Sequence, residues 1–121
     1  MVGLPRPEVQ DLDTSIRSLK WSPAEKAIAR KAFERALQQD LEAIIRQAKK
    51  MAGRIAQPSD VWELERYLTE RREAIDRQYD YRYSVLLFVF ADLIRKGRLR
   101  EEDLCGLGEE KLEHIRQMAT L

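Results

Sequence analysis

From Ser22 to Pro58 the chain holds one unbroken helical pattern, and no other feature limits the possible folds as strongly. Ser22-Pro23-Ala24-Glu25 is a strong helix start. The serine side chain suits the free amides, proline suits the first helical position, and Glu25 stands where it closes a capping box. Phe33, Leu37, Leu41, Ile44, Ile45, Ala48, Met51 and Ile55 then recur at steps of three or four. That spacing places them on one stripe of a single amphipathic helix ending near Ile55, ahead of Pro58. A helix of this kind must rest its stripe on something, so the rest of the chain is read for what covers it.

Asp60-Val61-Trp62-Glu63 reads as a second capping box, and Val61, Leu64, Leu68, Ile75 and Tyr79 form the stripe of a second helix. The short turn between the two predicts an antiparallel hairpin. A third element spans Tyr81 to Lys96. Its centre, Val85-Leu86-Leu87-Phe88-Val89-Phe90-Ala91, is apolar on every side. Its length, the Leu93-Ile94 continuation, the basic Arg95-Lys96 ending and Gly97 as a stop favour a buried helix over a strand. A short turn at Glu101–Leu104 and a last helix at Glu109–Ala119 bring Leu104, Leu107, Leu112, Ile115 and Met118, which are expected to cover the third helix. The fold class is therefore all-α: a flexible N-terminal extension (1–21) with room for local order, a helical hairpin stalk (22–80) and a helical head (81–121).

With 44% apolar and 36% charged residues and a net charge of +1, the chain suits a folded, soluble helical protein. Nucleic-acid binding through phosphates calls for a one-sided basic surface, and this balance does not supply it. No run approaches the roughly 20 apolar residues that span a bilayer, and there is no apolar signal core, so a cytoplasmic protein without membrane insertion is expected. Cys105 is the single cysteine and His114 the single histidine. A lone histidine cannot supply the paired ligands of a helical di-metal centre, even with Glu110 and Glu113 nearby, so His114 reads as a structural or surface residue. Cys105, beside Gly106 in a turn, reads as a half-buried bystander. Glu101-Glu102 reads as first-turn charge facing a helix dipole. No nucleophile elbow, phosphate-cradling glycine loop or acid–base couple is present. Neither a cofactor, a metal nor an enzymatic activity is expected.

A single copy looks incomplete. The first helix, at about 34 residues, is roughly 50 Å long, and the second covers only roughly 30 Å of it. Leaving leucine-sized side chains uncovered forgoes roughly 1.5–3 kcal/mol each. A two-fold axis would let identical stripes cover one another. A homodimer through Phe33, Leu37, Leu41, Ile44, Ile45 and Ala48 is the expectation.

On a helical wheel Trp62 lies away from the second helix's apolar stripe, beside Glu65, Arg66, Thr69, Glu73 and Asp76, with Arg72 at the boundary. An aromatic among charges is suited to anchoring an interface. Trp62 equally suits packing across a dimer or shielding the helix start. Arg72 reads as a docking cation or as a solvated partner of Asp76. Phe88 reads chiefly as core, with a weaker claim to the partner surface. Asp80, Tyr81, Arg82 and Tyr83 are expected to cap the third helix and orient the head.

Trp62-x-Leu64, Leu68, Arg72, Ile75-Asp76, Tyr79-Asp80, Arg82, Ser84-Val85 and Phe88-Val89-Phe90-Ala91 closely resemble the fluorescence recovery protein family of cyanobacteria. The match extends back through Trp21-Ser22, Ala24-Glu25 and Phe33, and forward through Lys96-Gly97 and Glu102-Asp103-Leu104. The resemblance implies an all-helical homodimer, with a stalk hairpin and a helical head, that holds no cofactor. It also implies a regulator that docks on the light-activated orange carotenoid protein, mainly on its C-terminal domain. Such a regulator speeds return to the resting orange form and helps detach it from the phycobilisome, at the thylakoid surface. Trp62, Glu65, Arg66, Arg72, Asp76 and, weakly, Phe88 are the partner-binding residues it points to. Two features depart from the family: Glu65-Arg66 stands where a His-Asp pair is usual, and the N-terminal extension is longer. A homologue serving another protein client, as a dimeric chaperone-like or scaffold protein, is the alternative.

Overall fold

The computed structural model describes residues 16–121; expectations for the preceding residues lie outside that range. The chain forms α1 (Pro23–Gly53), α2 (Pro58–Gln78), α3 (Leu86–Arg95), a 3-10 turn (Glu101–Leu104) and α4 (Glu109–Ala119). Among the described residues no strand forms, and α1 and α2 make the expected hairpin.

The start of α1 is the anticipated capping box. Ser22 N–H donates to Glu25 Oε1 at 3.0 Å, and Glu25 N–H donates to Ser22 Oγ at 3.1 Å. The start of α2 differs from expectation. Asp60 is not the cap but the third helical residue, and its Oδ2 accepts from the N–H groups of Ala56 (2.9 Å) and Gln57 (3.1 Å). Pro58, with its φ already helical, begins the helix earlier than the Asp60 box suggests.

The third element is shorter than its apolar pattern suggests. Helix α3 begins at Leu86, and the stretch from Tyr79 to Val85 is not helical. Its tyrosines gain more by packing than by continuing the helix. Phe33 meets Tyr79 and Tyr81 edge-on at 5.4 and 4.8 Å, Tyr83 meets Tyr81 at 5.4 Å, and Trp21 meets Tyr83 at 5.3 Å. The Arg30 guanidinium lies 4.0 Å over the Tyr81 ring. Asp80 and Arg82 do not cap α3; they pair with each other at 2.6 Å. At the far end of α3, Gly97 takes φ +73°, and Arg98 N–H reaches back to Leu93 O at 2.9 Å. This closes the helix as the glycine predicted.

One core serves both halves of the chain. Leu86, Leu87, Phe90 and Leu93 of α3 are buried with Leu104, Leu107, Ile115 and Met118, as expected of the C-terminal segments. Ala29, Ala32, Phe33 and Ala36 of α1 join the same core, so the first turns of the long helix belong to the head rather than to a free stalk. Local order extends into the leading segment, since Ile16 is buried there and Leu19 and Trp21 pack on it.

Glu25 fastens this arrangement. Its Oε2 accepts from Gly108 N–H at 2.7 Å and lies 3.2 Å from the Lys111 ammonium, which also donates to Lys20 O at 2.6 Å. Both charged side chains are almost wholly buried. Burial alone would raise the Glu25 carboxyl, but the Ser22 and Gly108 amides and Lys111 outweigh it and hold the pKa at about 2.

Candidate functional site: an exposed face of the stalk hairpin

Helix α2 has no buried residue. Its covered face keeps only part of the stripe read from the sequence: Leu64, Ile75 and Tyr79 are half-buried, whereas two other members are not. Tyr67, Ala74, Ile75 and Gln78, with the exposed Arg71, line a cavity together with Asp40, Ala43 and Ile44 of α1. Val61 and Leu68, expected in the core, are 43% and 41% exposed. The half-buried residues Leu64, Tyr67, Ala74, Ile75 and Gln78 centre the covered face away from Val61 and Leu68, which fall at its edge.

The opposite face carries the sequence-predicted site. Trp62 is 64% exposed, and Glu65, Arg66, Arg72 and Asp76 are exposed along the same helix. Glu65 is steadied by the Thr69 hydroxyl, which donates to it at 2.8 Å. Arg72 makes no ion pair with Asp76 among the described residues, leaving the guanidinium to solvent. At the hairpin turn Trp62 lines a shallow apolar concavity with Ile55, Pro58 and Val61. The tryptophan is thus a largely exposed aromatic surface that also stands over the start of α2, next to Pro58 and Val61.

Phe88 is half-buried against the core and lines a second concavity with Ala74, Arg77, Gln78, Asp92 and Lys96. Arg77 lies within about 60° of Trp62 and Arg66 on the wheel and about 22 Å along the helix from Trp62. It therefore connects the Trp62 face to the Phe88 concavity. Sequence reasoning passed over Arg77, although its position on the wheel marks it.

The residues expected at a dimer interface separate into two groups. Phe33 is 6% exposed and held in its own protomer's core by Tyr79 and Tyr81, and Leu37 also packs on that core. Phe33 is therefore withdrawn from the dimer surface, because its ring is already covered within one chain. Farther along α1, Leu41 is 37% and Ile45 51% exposed, Ala48 is half-exposed, and Ile44 turns toward the seam.

Among the described residues, no group of three or more His, Cys, Asp or Glu side chains is arranged to hold a metal ion. His114 Nε2 stands 4.0 Å from Glu110, and Cys105 is exposed rather than half-buried because its turn faces outward. Also among these residues, no helix is long and apolar enough to cross a membrane.

A family model for the photoprotection regulator fluorescence recovery protein matches residues 21–119. The chain belongs to this family. It is 37% identical over 101 residues to the fluorescence recovery protein of Synechocystis sp. (strain ATCC 27184 / PCC 6803 / Kazusa), covering 84% of this chain and 93% of that protein. The solved structure of the Fremyella diplosiphon fluorescence recovery protein superposes with a TM-score of 0.79 at 38% identity. That of the Synechocystis sp. PCC 6803 protein does so with the same score at 36% identity. Each match covers 84% of this chain and the whole of the other. The match establishes the fluorescence recovery protein fold and a place in photoprotection regulation. The family match includes Trp62, Arg72 and Phe88, and it begins at Trp21, so the longer leading segment lies outside it.

Proposed function

We propose that this member of the family is a non-enzymatic, cytoplasmic docking protein. It binds the light-activated orange carotenoid protein through the Trp62–Arg72 face and speeds its return to the resting form, ending quenching at the phycobilisome. The observation that carries the reading is the exposed Trp62 ring on α2, on the same side as exposed charged groups. A binder accelerates such a return if it holds the closing state better than the open one. A tenfold effect needs only about 1.4 kcal/mol of preference, within reach of a few contacts. The uncovered Leu41 and Ile45 belong, in this reading, to a two-fold interface with a second copy.

The test is the dark return of the red carotenoid protein, followed by absorbance with and without this protein. Wild type should accelerate it, while Trp62→Ala and Arg72→Glu should weaken binding roughly thirtyfold with helicity intact. Light scattering should give twice the chain mass of 14.2 kDa, and Ile45→Glu should lower it. If wild type leaves the return unchanged, the second reading takes over. One observation favours that reading: Glu65-Arg66 replaces the family's usual His-Asp at the centre of the docking face. In it, the same dimer and face serve a different protein client as a chaperone-like or scaffold protein.

A further inference from the structure

Apart from the docking face, a cavity of about 320 Å³ lies where the hairpin meets the head. Three cationic side chains reach it from separate segments: Arg71 from α2, and Lys96 and Arg98 from the end of α3 and the turn beyond. Its lining holds a single carboxylate, Asp40, which is already engaged: the Tyr79 hydroxyl donates to it, and Arg98 Nε lies 2.6 Å from it. The Lys96 ammonium is held by Gln78 Oε1 at 2.5 Å and by Asp92 at 3.0 Å, and Asp92 is shared with Arg95 at 2.7 Å. Arg71 makes no ion pair among the described residues. Arg98 Nη1 also donates to Lys96 O at 3.0 Å, so Lys96 and Arg98 are each partly spent and the unpaired positive charge at the cavity is that of the Arg71 fork.

The remaining lining suits an anion as well. Gln78 uses its carbonyl oxygen on Lys96, which leaves its amide hydrogens to donate. The Tyr67 hydroxyl is a further donor, while Ala43, Ile44, Ala74 and Ile75 form apolar walls that strengthen charge attraction inside. The volume is at the small end for ligand pockets, so it fits a compact anion and not a cofactor. We infer that the stalk–head junction is a binding site for a small anion carrying phosphate or carboxylate groups, held chiefly by the Arg71 fork, with Lys96 and Arg98 at its edge. Bound there, the anion bridges α2 to the head.

The test uses the whole protein and sodium phosphate as probe, with succinate as the carboxylate arm and sodium chloride at matched ionic strength as control. A ligand that binds only the folded chain raises Tm saturably. Phosphate, succinate or both should do so, and which one does identifies the chemical source. Arg71→Gln should weaken the apparent affinity about tenfold, because a charge-assisted forked contact is lost. It should leave Tm in chloride unchanged, since Arg71 has no ion pair to lose. Lys49→Gln, an exposed cation elsewhere on α1, should bind as wild type does. A Tm that follows ionic strength alone, or an Arg71→Gln protein that binds both anions as tightly as wild type, overturns the site. Neither result depends on the carotenoid partner.

Discussion

The head and the stalk are built from the same kind of helix yet solve opposite problems. In the head, α3 and α4 close over the first turns of α1, and Leu86, Phe90, Leu93, Leu104 and Ile115 are wholly inside. In the stalk, α2 buries no residue completely and leaves Val61, Trp62 and Leu68 outward, beside Leu41 and Ile45 of α1. The difference is one of where apolar area is spent. The head uses its area to hold itself together, whereas the stalk leaves much of its area exposed. The proposed docking role would gain from this division, because the Trp62 face could be desolvated without disturbing the core that positions it.

The largest test of that contrast is core truncation. Phe90→Ala, in the head, should cost about 3–5 kcal/mol by lost burial and the cavity left behind. Leu68→Ala should cost about 1 kcal/mol or less, since much of that side chain is already in water. Urea denaturation of both variants reads the difference. Similar costs would mean that the stalk contributes to the cooperative core as fully as the head does.

Next in size is the Glu25–Lys111 tie, which joins the start of α1 to the start of α4. Its carboxyl is held at about 2 against an ordinary value of 4.5. A folded-state pKa below the unfolded one gives stability that is present above the unfolded value and lost as pH falls through the folded one. Glu25→Gln should therefore cost roughly 3 kcal/mol at pH 7. The gap from wild type should begin to close below about pH 5 and vanish near pH 2. A gap that stays constant across that range would mean that the carboxylate's charge is not what ties the head together.

Much of this architecture was readable from spacing alone. The Ser22–Glu25 box, the Gly97 stop and the bounds of α4 follow from local chemistry, in which a few neighbouring residues settle the outcome. The errors arose where distant groups compete. Phe33 fits the stripe of a dimerising helix, but tyrosines more than forty residues away cover it. The Tyr79–Val85 stretch looks like the opening of a helix until its rings find α1. Val61 and Leu68 look like core because periodicity tells which residues share a face, not which face the neighbouring helix chooses. The docking candidates were easier to see, because Trp62 is conspicuous among charges on any wheel. Arg77 and the Asp40–Tyr79–Arg98 cluster were not, since their roles depend on the head folding back onto the hairpin.

That cluster gives the smallest and most discriminating test, because it stands where the two regions meet. Tyr79 packs its ring on Phe33 and donates its hydroxyl to Asp40, whose other oxygen takes Arg98. Burial and the Asp40 carboxylate together raise the Tyr79 hydroxyl above the usual phenol range, so it remains a donor at every physiological pH. Tyr79→Phe keeps the ring and removes only this donor. A hydrogen bond to a charged group contributes about 1.5–3 kcal/mol, less where water can substitute, and Asp40 keeps Arg98, so the loss should be about 1 kcal/mol. Hydrogen exchange should show where it falls: amides near the 79–85 connection and the end of α3 should exchange faster, while the centre of α3 keeps its protection. Faster exchange throughout α3 would mean that head and stalk unfold as one unit, and the division between them would be one of exposure only.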